Sequence, residues 1–450
     1  MGKAIGGVKH LFMISLNDAR FRHAMCYLNV LETANGLFRK GGESTRDGNA
    51  LFDQNWQNIE KGQVQASLIR DGIAGDLLKK YPEIGVHILT MKLHPKQWIN
   101  WLEVALDAAD KPEDIRSSTI MLGNLGIAYD ELGLFKKAIK CYEEAIKADK
   151  KIGSLKAEGV DVGNLASVYF ETGEIRKALR YFEKALAIAE KVHDQWSKGV
   201  HLGNIGNVYE LLGKIEKAIG FYKKALRISR QVGDRRNEAA WLGNLANISA
   251  DLGKYRTSVR YYKKALIVDR DIGDRLGEGA DLGNLGTIYV ELGKTQLAID
   301  CHSAALYIAK ETGNSRDEGI QLGNLGLTYA KLGQIPVAVN FFRQALQIAR
   351  ETGDRLFESS WLSSLAEAYA TMGNTGSAIT YYQKALSIST QLGDRQNQAN
   401  HLYGLGRLYQ KTGDRKMALK LSKRALKILE DTGLPLVKQV KDQVRELSLR

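Results

Sequence analysis

An all-α solenoid is the fold class the sequence predicts, and three observations predict it. The stretch Leu282-Gly283-Asn284-Leu285-Gly286 recurs down the chain, with its asparagine at Asn124, Asn164, Asn204, Asn244, Asn284 and Asn324. A fixed period between roughly 20 and 50 residues marks a stacked-repeat architecture. Within each forty-residue period, apolar residues recur at helical spacing, as in Leu282, Leu285, Tyr289 and Leu292. Finally, the 450 residues include only five prolines, which suits long uninterrupted helices.

Composition agrees with this. An apolar fraction of 44% and a charged fraction of 26% are those of an ordinary soluble protein. A compact chain of this length would split into roughly two or three domains, whereas an array grows lengthwise. The net charge of +13 permits acidic partners without demanding them. Cys26, Cys141 and Cys301 are far apart and in no metal or redox spacing, so they read as small packing residues in a reducing compartment. No apolar run approaches the roughly 18 residues of a membrane span. Leu11 to Leu16 is too short for a signal sequence, and Gly6 stands where a myristoylation motif wants Ser or Thr. The expected location is the cytoplasm.

Residues 1–16 read as a leader and 17–75 as an N-terminal helical segment. Its first helix carries Phe21, Ala24, Tyr27, Leu28, Leu31 and Ala34 at helical spacing, and Gly41-Gly42 stops it. A second runs through Leu51, Phe52, Trp56 and Ile59. Residues 76–114 are a degenerate first unit: Trp98, Ala105 and Leu106 keep the register, while Pro82 and Gly85 interrupt its first helix. Eight forty-residue units follow over 115–434. In each, a glycine from Gly133 to Gly413 ends the first helix in the left-handed conformation that costs glycine no Cβ clash. The second helix buries a small residue, an aromatic and an Ala-Leu pair, such as Ala218, Tyr222, Ala225 and Leu226. Gly-Asp-Arg closes the unit at 233–235, 273–275, 353–355 and 393–395, its aspartate placed to cap the incoming helix. Glu238, Glu278 and Glu358 then sit in the first turn, where the helix dipole favours them. After Pro435, residues 435–450 form a capping helix with Leu436, Val440, Val444 and Leu447 on one face.

The residues Leu125-Gly126, Tyr129, Ala138, Tyr142 and Ala145-Ile146 resemble the tetratricopeptide repeat pattern. The closer resemblance is to the forty-residue Pins/LGN variety, with Leu-Gly-Asn and Gly-Asp-Arg. It implies a right-handed superhelix of helix–turn–helix units whose first helices line a concave groove. His23-Ala24, Tyr27-Leu28, Gly41-Gly42 and Leu51-Phe52-Asp53 are similar to the helical connector of bacterial STAND-type signalling ATPases.

The candidate site lies on that first-helix face. With Asn284 at the origin and about 100° per residue, the core residues of its helix fall at roughly 80–160°. Asn284 stands outside that arc together with Thr287 and Glu291. An asparagine amide both donates and accepts, so it can grip a peptide backbone whatever its side chains. It could equally bond the neighbouring repeat and only set the stacking. The six asparagines are joined by Asn207, Asn247 and Thr287, and by Trp241 and Trp361 at the edge of the stripe as aromatic anchors. Basic residues enter the stripe late, at Lys331, Arg407 and Lys411, so a clamp for a ligand's C-terminal carboxylate is not expected.

Other chemistry finds no footing. Gly293-Lys294-Thr295 lacks the first glycine of a phosphate loop, since Ile288 stands there. His193, His201, His302 and His401 have no metal-ligand spacing. The lysines of the second helices read as a solvated outer face without the interleaved exposed aromatics of nucleic-acid binding. The expectation is a non-enzymatic scaffold or sensor for an extended peptide or protein segment, without cofactor, metal or membrane. Its alternative is the sensor half of a STAND-like switch acting on a partner ATPase in trans. Nucleic-acid binding by the basic outer face ranks last.

Overall fold

The computed structural model describes residues 2–40, 43–69, 72–109, 115–432 and 436–449. Among them it contains twenty-one helices and no strand. Gly41-Gly42, Pro435 and the end of the degenerate unit at 110–114 lie outside the described residues. The internal contacts divide the chain into two compact units, Met1–Val232 and Gly233–Arg450. The division falls between the third and fourth forty-residue units.

The first unit holds α1 (Gly2–Lys40), α2 (Glu43–Ser67), α3 (Gly72–Lys92), α4 (Pro95–Ala108), α5 (Ile115–Glu131), α6 (Phe135–Ile152), α7 (Leu155–Glu171), α8 (Ile175–Lys191), α9 (Gln195–Leu211) and α10 (Ile215–Val232). The backbone of α1 runs straight through 2–16, the stretch read as a leader, because no proline or turn pair after Gly7 ends the helix. Helix α3 likewise begins before the boundary drawn at 75/76 and carries Pro82 and Gly85 inside it. Support comes from outside that helix: Asn35 Oδ1 accepts from Ile88 N at 3.0 Å, and Tyr81 donates to Ala24 O at 2.7 Å. Trp98 and Trp101 are buried, with Trp56 of α2 stacked on Trp101 at 5.9 Å between ring centroids.

The second unit holds α11 (Arg235–Asp251), α12 (Tyr255–Ile272), α13 (Arg275–Glu291), α14 (Thr295–Glu311), α15 (Ser315–Lys331), α16 (Ile335–Glu351), α17 (Arg355–Thr371), α18 (Thr375–Leu392), α19 (Arg395–Lys411), α20 (Arg415–Thr432) and α21 (Val437–Ser448). Helix α21 lays Val440 and Leu447 against α20, while Gln443 accepts from Ser422 and donates to Gln410, each at 2.9 Å.

The turns follow the sequence closely. Gly273 sits at φ 69°, and Asp274 Oδ1 accepts from Gly277 N at 2.9 Å. The arginine of Gly-Asp-Arg has a further role. Arg235 reaches Glu238 at 2.6 Å and also Asp271 at 2.8 Å, tying the start of α11 to the end of α12. His193, at φ 55°, is the non-glycine residue found in the left-handed region among the described residues.

Packing explains the two glycines of the repeated Leu-Gly-Asn-Leu-Gly. At the second, a Cβ on Gly206 would lie 2.7 Å from the Tyr222 ring, and one on Gly326 would lie 2.6 Å from the Phe342 ring. At the first, a Cβ on Gly163 would meet His201 at 2.5 Å, and one on Gly323 would meet Trp361 at 2.1 Å. The missing side chains let rings from the second helix and from the next unit lie directly on the first helix.

Some of these junctions are filled by paired acids. Asp149 and Asp161 are both buried and face one another, and the buried Asp269 faces a half-buried Asp281. Burial, then the neighbouring carboxylate, pushes Asp161 and Asp281 each up to about 8. Burial also raises Asp149, and it lifts Asp269 to about 6.

Two predictions follow from these contacts. Gly206→Ala should destabilise the fold by about 1–3 kcal/mol through overpacking against Tyr222. Gly220→Ala, on the exposed side of α10 with nothing within 4 Å of the new methyl, should stabilise by about 0.5–1 kcal/mol. Urea titrations giving both changes the same sign would contradict this account of the glycines.

The acid pairs set a pH dependence. The folded chain keeps protons that an unfolded aspartate, at 3.8, would release, so their contribution is full on the acid side and is lost as pH rises to about 8. His201 and His401, held near 4 by burial against an ordinary 6.5, act in the opposite sense below 6.5. The clean window is therefore pH 6.5 to 8. Melting temperature should fall with pH there, and Asp161→Asn combined with Asp281→Asn should flatten the slope. An unchanged slope would mean the carboxyls are ionised in the fold.

Candidate functional site

The first helix of each unit turns one face away from its core, and the asparagines stand on it. Asn124, Asn164, Asn204, Asn244 and Asn324 are half-buried and Asn284 is exposed. None is a core residue, as the helical angles require. Three residues further on, Asn207 and Asn247 are engaged by tyrosines of their own units. Tyr222 Oη lies 2.7 Å from Asn207 Oδ1 and 2.5 Å from Glu210 Oε2, and the Tyr262 hydroxyl donates to Asn247. Burial pushes the Tyr262 hydroxyl well above its usual range, so it remains a donor.

In the second unit this face opens into a cleft of about 460 Å³ along α13, α15 and α17. Thr287, Val290, Leu327, Ala330 and Ala368 supply its walls, and His302 and Phe342 line it from the second helices. Asn324 and Ser364 bring amide and hydroxyl groups to it. Glu291 and Lys331 pair across it at 3.1 Å, and Glu367 adds a further carboxylate. His302 Nδ1 bonds Gln321 Oε1 at 3.0 Å, and burial holds the imidazole below its ordinary value, hence neutral at pH 7. A neighbouring depression of about 470 Å³ shares Glu367 and Thr371 and contains Tyr382, Arg407 and Lys411. A largely apolar body with few polar groups is the usual make-up of a ligand cleft.

The structure thus brings Thr287 and Asn324 into one cleft. Asn284 is on the same helix as Thr287 but does not line it. Asn244, Asn247 and Trp241 belong to α11, and Asn124, Asn164, Asn204 and Asn207 to the first unit. The expectation of tryptophan anchors is corrected. Trp241 and Trp361 are 5% and 6% exposed. Trp361 lies over Gly323 and stacks on Phe357 at 5.9 Å. The flank it occupies looks like a groove edge on an isolated helix, but the preceding unit closes over it.

Sequence reasoning missed His302, Phe342, Leu327 and Gln321. The signal was there, in the aromatic column Tyr142, Phe182, Tyr222, Tyr262, His302, Phe342, Tyr382, where tyrosine gives way once at Phe182 and then in two successive units. No described helix is long and apolar enough to cross a membrane.

Stacked helix pairs with a cleft on the first-helix face define a helical-repeat protein. A tetratricopeptide repeat model matches residues 160–231, 197–271, 237–302, 280–351 and 356–431, and a second matches 120–151. The chain belongs to the tetratricopeptide repeat family. No curated protein sequence matches it. Among solved structures, it is similar to a STAND signal-transduction ATPase with a tetratricopeptide repeat sensor from Pyrococcus horikoshii. There the identity is 17% and the TM-score 0.63, over 86% of this chain and 57% of that one. The apo quorum sensor NprR from B. thuringiensis aligns at 17% identity and TM-score 0.57, over 76% and 96%. A Rap protein complexed with Competence and Sporulation Factor aligns at 18% and 0.51, over 83% and 99%. At these identities the likeness is one of fold.

The tyrosine bridge carries its own prediction. Tyr222→Phe should lower stability by about 0.5–1.5 kcal/mol, because the bond to Asn207 and Glu210 is lost while the ring stays. A melting temperature equal to that of the parent would mean the bridge is made as well to water.

Proposed function

We propose that the protein is a non-catalytic scaffold or sensor of the cytoplasm that holds an extended peptide or protein segment on the first-helix face, with the α13–α15–α17 cleft as its main seat. The cleft itself carries this reading: about 460 Å³, chiefly apolar, with Asn324, Ser364 and Thr287 at hand to bond a backbone. The half-buried and exposed asparagines along the same face support it. So do the similar folds, which include a sensor, a quorum sensor and a protein in complex with a factor. The cleft's charged groups are Glu291, Glu367 and Lys331, the last already paired, which suits a neutral or mildly basic segment over an acidic one. A second reading, a sensor acting on a partner ATPase, draws on the likeness to the Pyrococcus horikoshii protein.

The test begins with selection from a phage-displayed library of random dodecapeptides on the full chain. Against a selected peptide, Asn324→Ala should weaken binding by about 0.5–1.5 kcal/mol, with melting temperature unchanged or slightly higher, since alanine is the better helix former. A fallen melting temperature with unaltered affinity would assign the asparagines to the architecture. A library that yields no binder would remove the reading.

A further inference from the structure

Resting on the peptide-binding reading above, we infer that the cleft of the second unit is an anchor pocket for one large apolar side chain of the bound segment, opened where the tyrosine–asparagine bridge of the preceding repeats is lost. In α9 and α10 the bridge is Tyr222 with Asn207 and Glu210. In α11 and α12 it is Tyr262 with Asn247. Each bridge joins the two helices of a repeat and keeps a buried tyrosine hydroxyl bonded beneath the amide that stands on the first-helix face.

In the next two repeats the same register holds different chemistry. His302 stands with Thr287 and Val290, then Phe342 with Leu327 and Ala330, and all six line the cleft. Neither ring carries a hydroxyl. The histidine is held by Gln321 of the following first helix instead of by its own. Beside the Thr287 hydroxyl, which is turned to Gly283 O of its own helix, there are now a methyl, two branched chains and an aromatic face. Leu327 remains 46% exposed above a Phe342 that is 1% exposed, so the apolar surface is presented and not closed off. In the repeat after these, Tyr382 returns with Glu367 and Arg407 beside it. The apolar stretch is therefore two repeats long and polar on its far side. Such a place removes one apolar group from water and leaves the flanking backbone to Asn324 and Ser364. Leu, Ile, Met, Phe or Trp in the ligand fits it; a short polar side chain would leave the walls wet.

The probe is a positional-scanning library of acetylated, amidated hexapeptides, titrated against the full chain. The double variant Leu327→Asn/Phe342→Tyr transplants the bridge of the preceding repeats, so its fold has a template in the same molecule. Leu327→Asn alone, at an exposed position, serves if the double variant fails to fold. The expected result is that one library position demands a large apolar residue, and that the double variant weakens the best pool at least tenfold while Leu327→Asn weakens it severalfold. Pools that bind with no apolar preference, or that bind the variants as tightly as the parent, would overturn the anchor and leave the peptide-binding reading standing. If no pool binds the parent, both fall.

Discussion

The architecture depends on a side chain that is absent. At Gly163 and Gly323 the following repeat sets an imidazole and an indole directly onto the backbone of the first helix, closer than any Cβ would allow. The second glycine of the motif does the same for the ring of its own repeat's second helix. In α13 and α15, which carry both glycines, the first helix is thus approached from two sides at backbone distance. That removes two of its flanks from any role in recognition and leaves one free. Once both flanks are spent, the asparagine between the glycines can point only outward.

The same contact explains what the sequence did and did not make legible. Turn glycines and aspartate caps act within a few residues, and the structure shows them where the pattern put them, as at Gly273 and Asp274. Helical angles placed Asn284 off the core because that geometry belongs to one helix alone. Trp361 was misread for the complementary reason: its surroundings come from Gly323, thirty-eight residues earlier, and a single helix cannot reveal them. The acid pairs were invisible on similar grounds, since Asp149 and Asp161 belong to successive helices. His302 and Phe342 could have been found, but only by comparing one column across all units instead of searching for known motifs.

Read down that way, the junction column is uneven: Asp161, His201, Trp241, Asp281, Gln321, Trp361, His401. The residue in register on the outgoing helix is small beside most of the larger ones, with Ala189 before His201, Ala309 before Gln321 and Ala349 before Trp361. Volume is therefore conserved across the junction more than chemistry, as close packing demands. The two Asp–Asp junctions are the exception. They keep polar groups inside at the cost of retaining a proton near neutrality, and each compact unit contains one. None of the four carboxyls lines the cleft, so the cleft and the Asp–Asp junctions are separate places, although Asp281 helps to raise the Tyr262 hydroxyl.

That separation governs how the binding face can vary. Tyr222, Tyr262, His302 and Phe342 all present a ring to the position where the first helix carries glycine or alanine, and all four are buried. The core reads only the ring. What lies at its far edge, a hydroxyl bonded to Asn207 or a bare edge lining the cleft with Leu327, can differ without altering that contact. Replacing tyrosine by phenylalanine at such a place forfeits one hydrogen bond of modest net worth, about 0.5–1.5 kcal/mol, out of a stack held mainly by apolar burial. Exchanging the asparagine above it for leucine exposes apolar surface but strands no buried polar group. The pair of changes can thus convert a closed polar rung into an open apolar one within a single repeat, while neighbouring rungs keep the asparagines that would hold a backbone. On the peptide-binding reading proposed above, a face built this way would acquire side-chain preference locally and leave main-chain recognition to the asparagines.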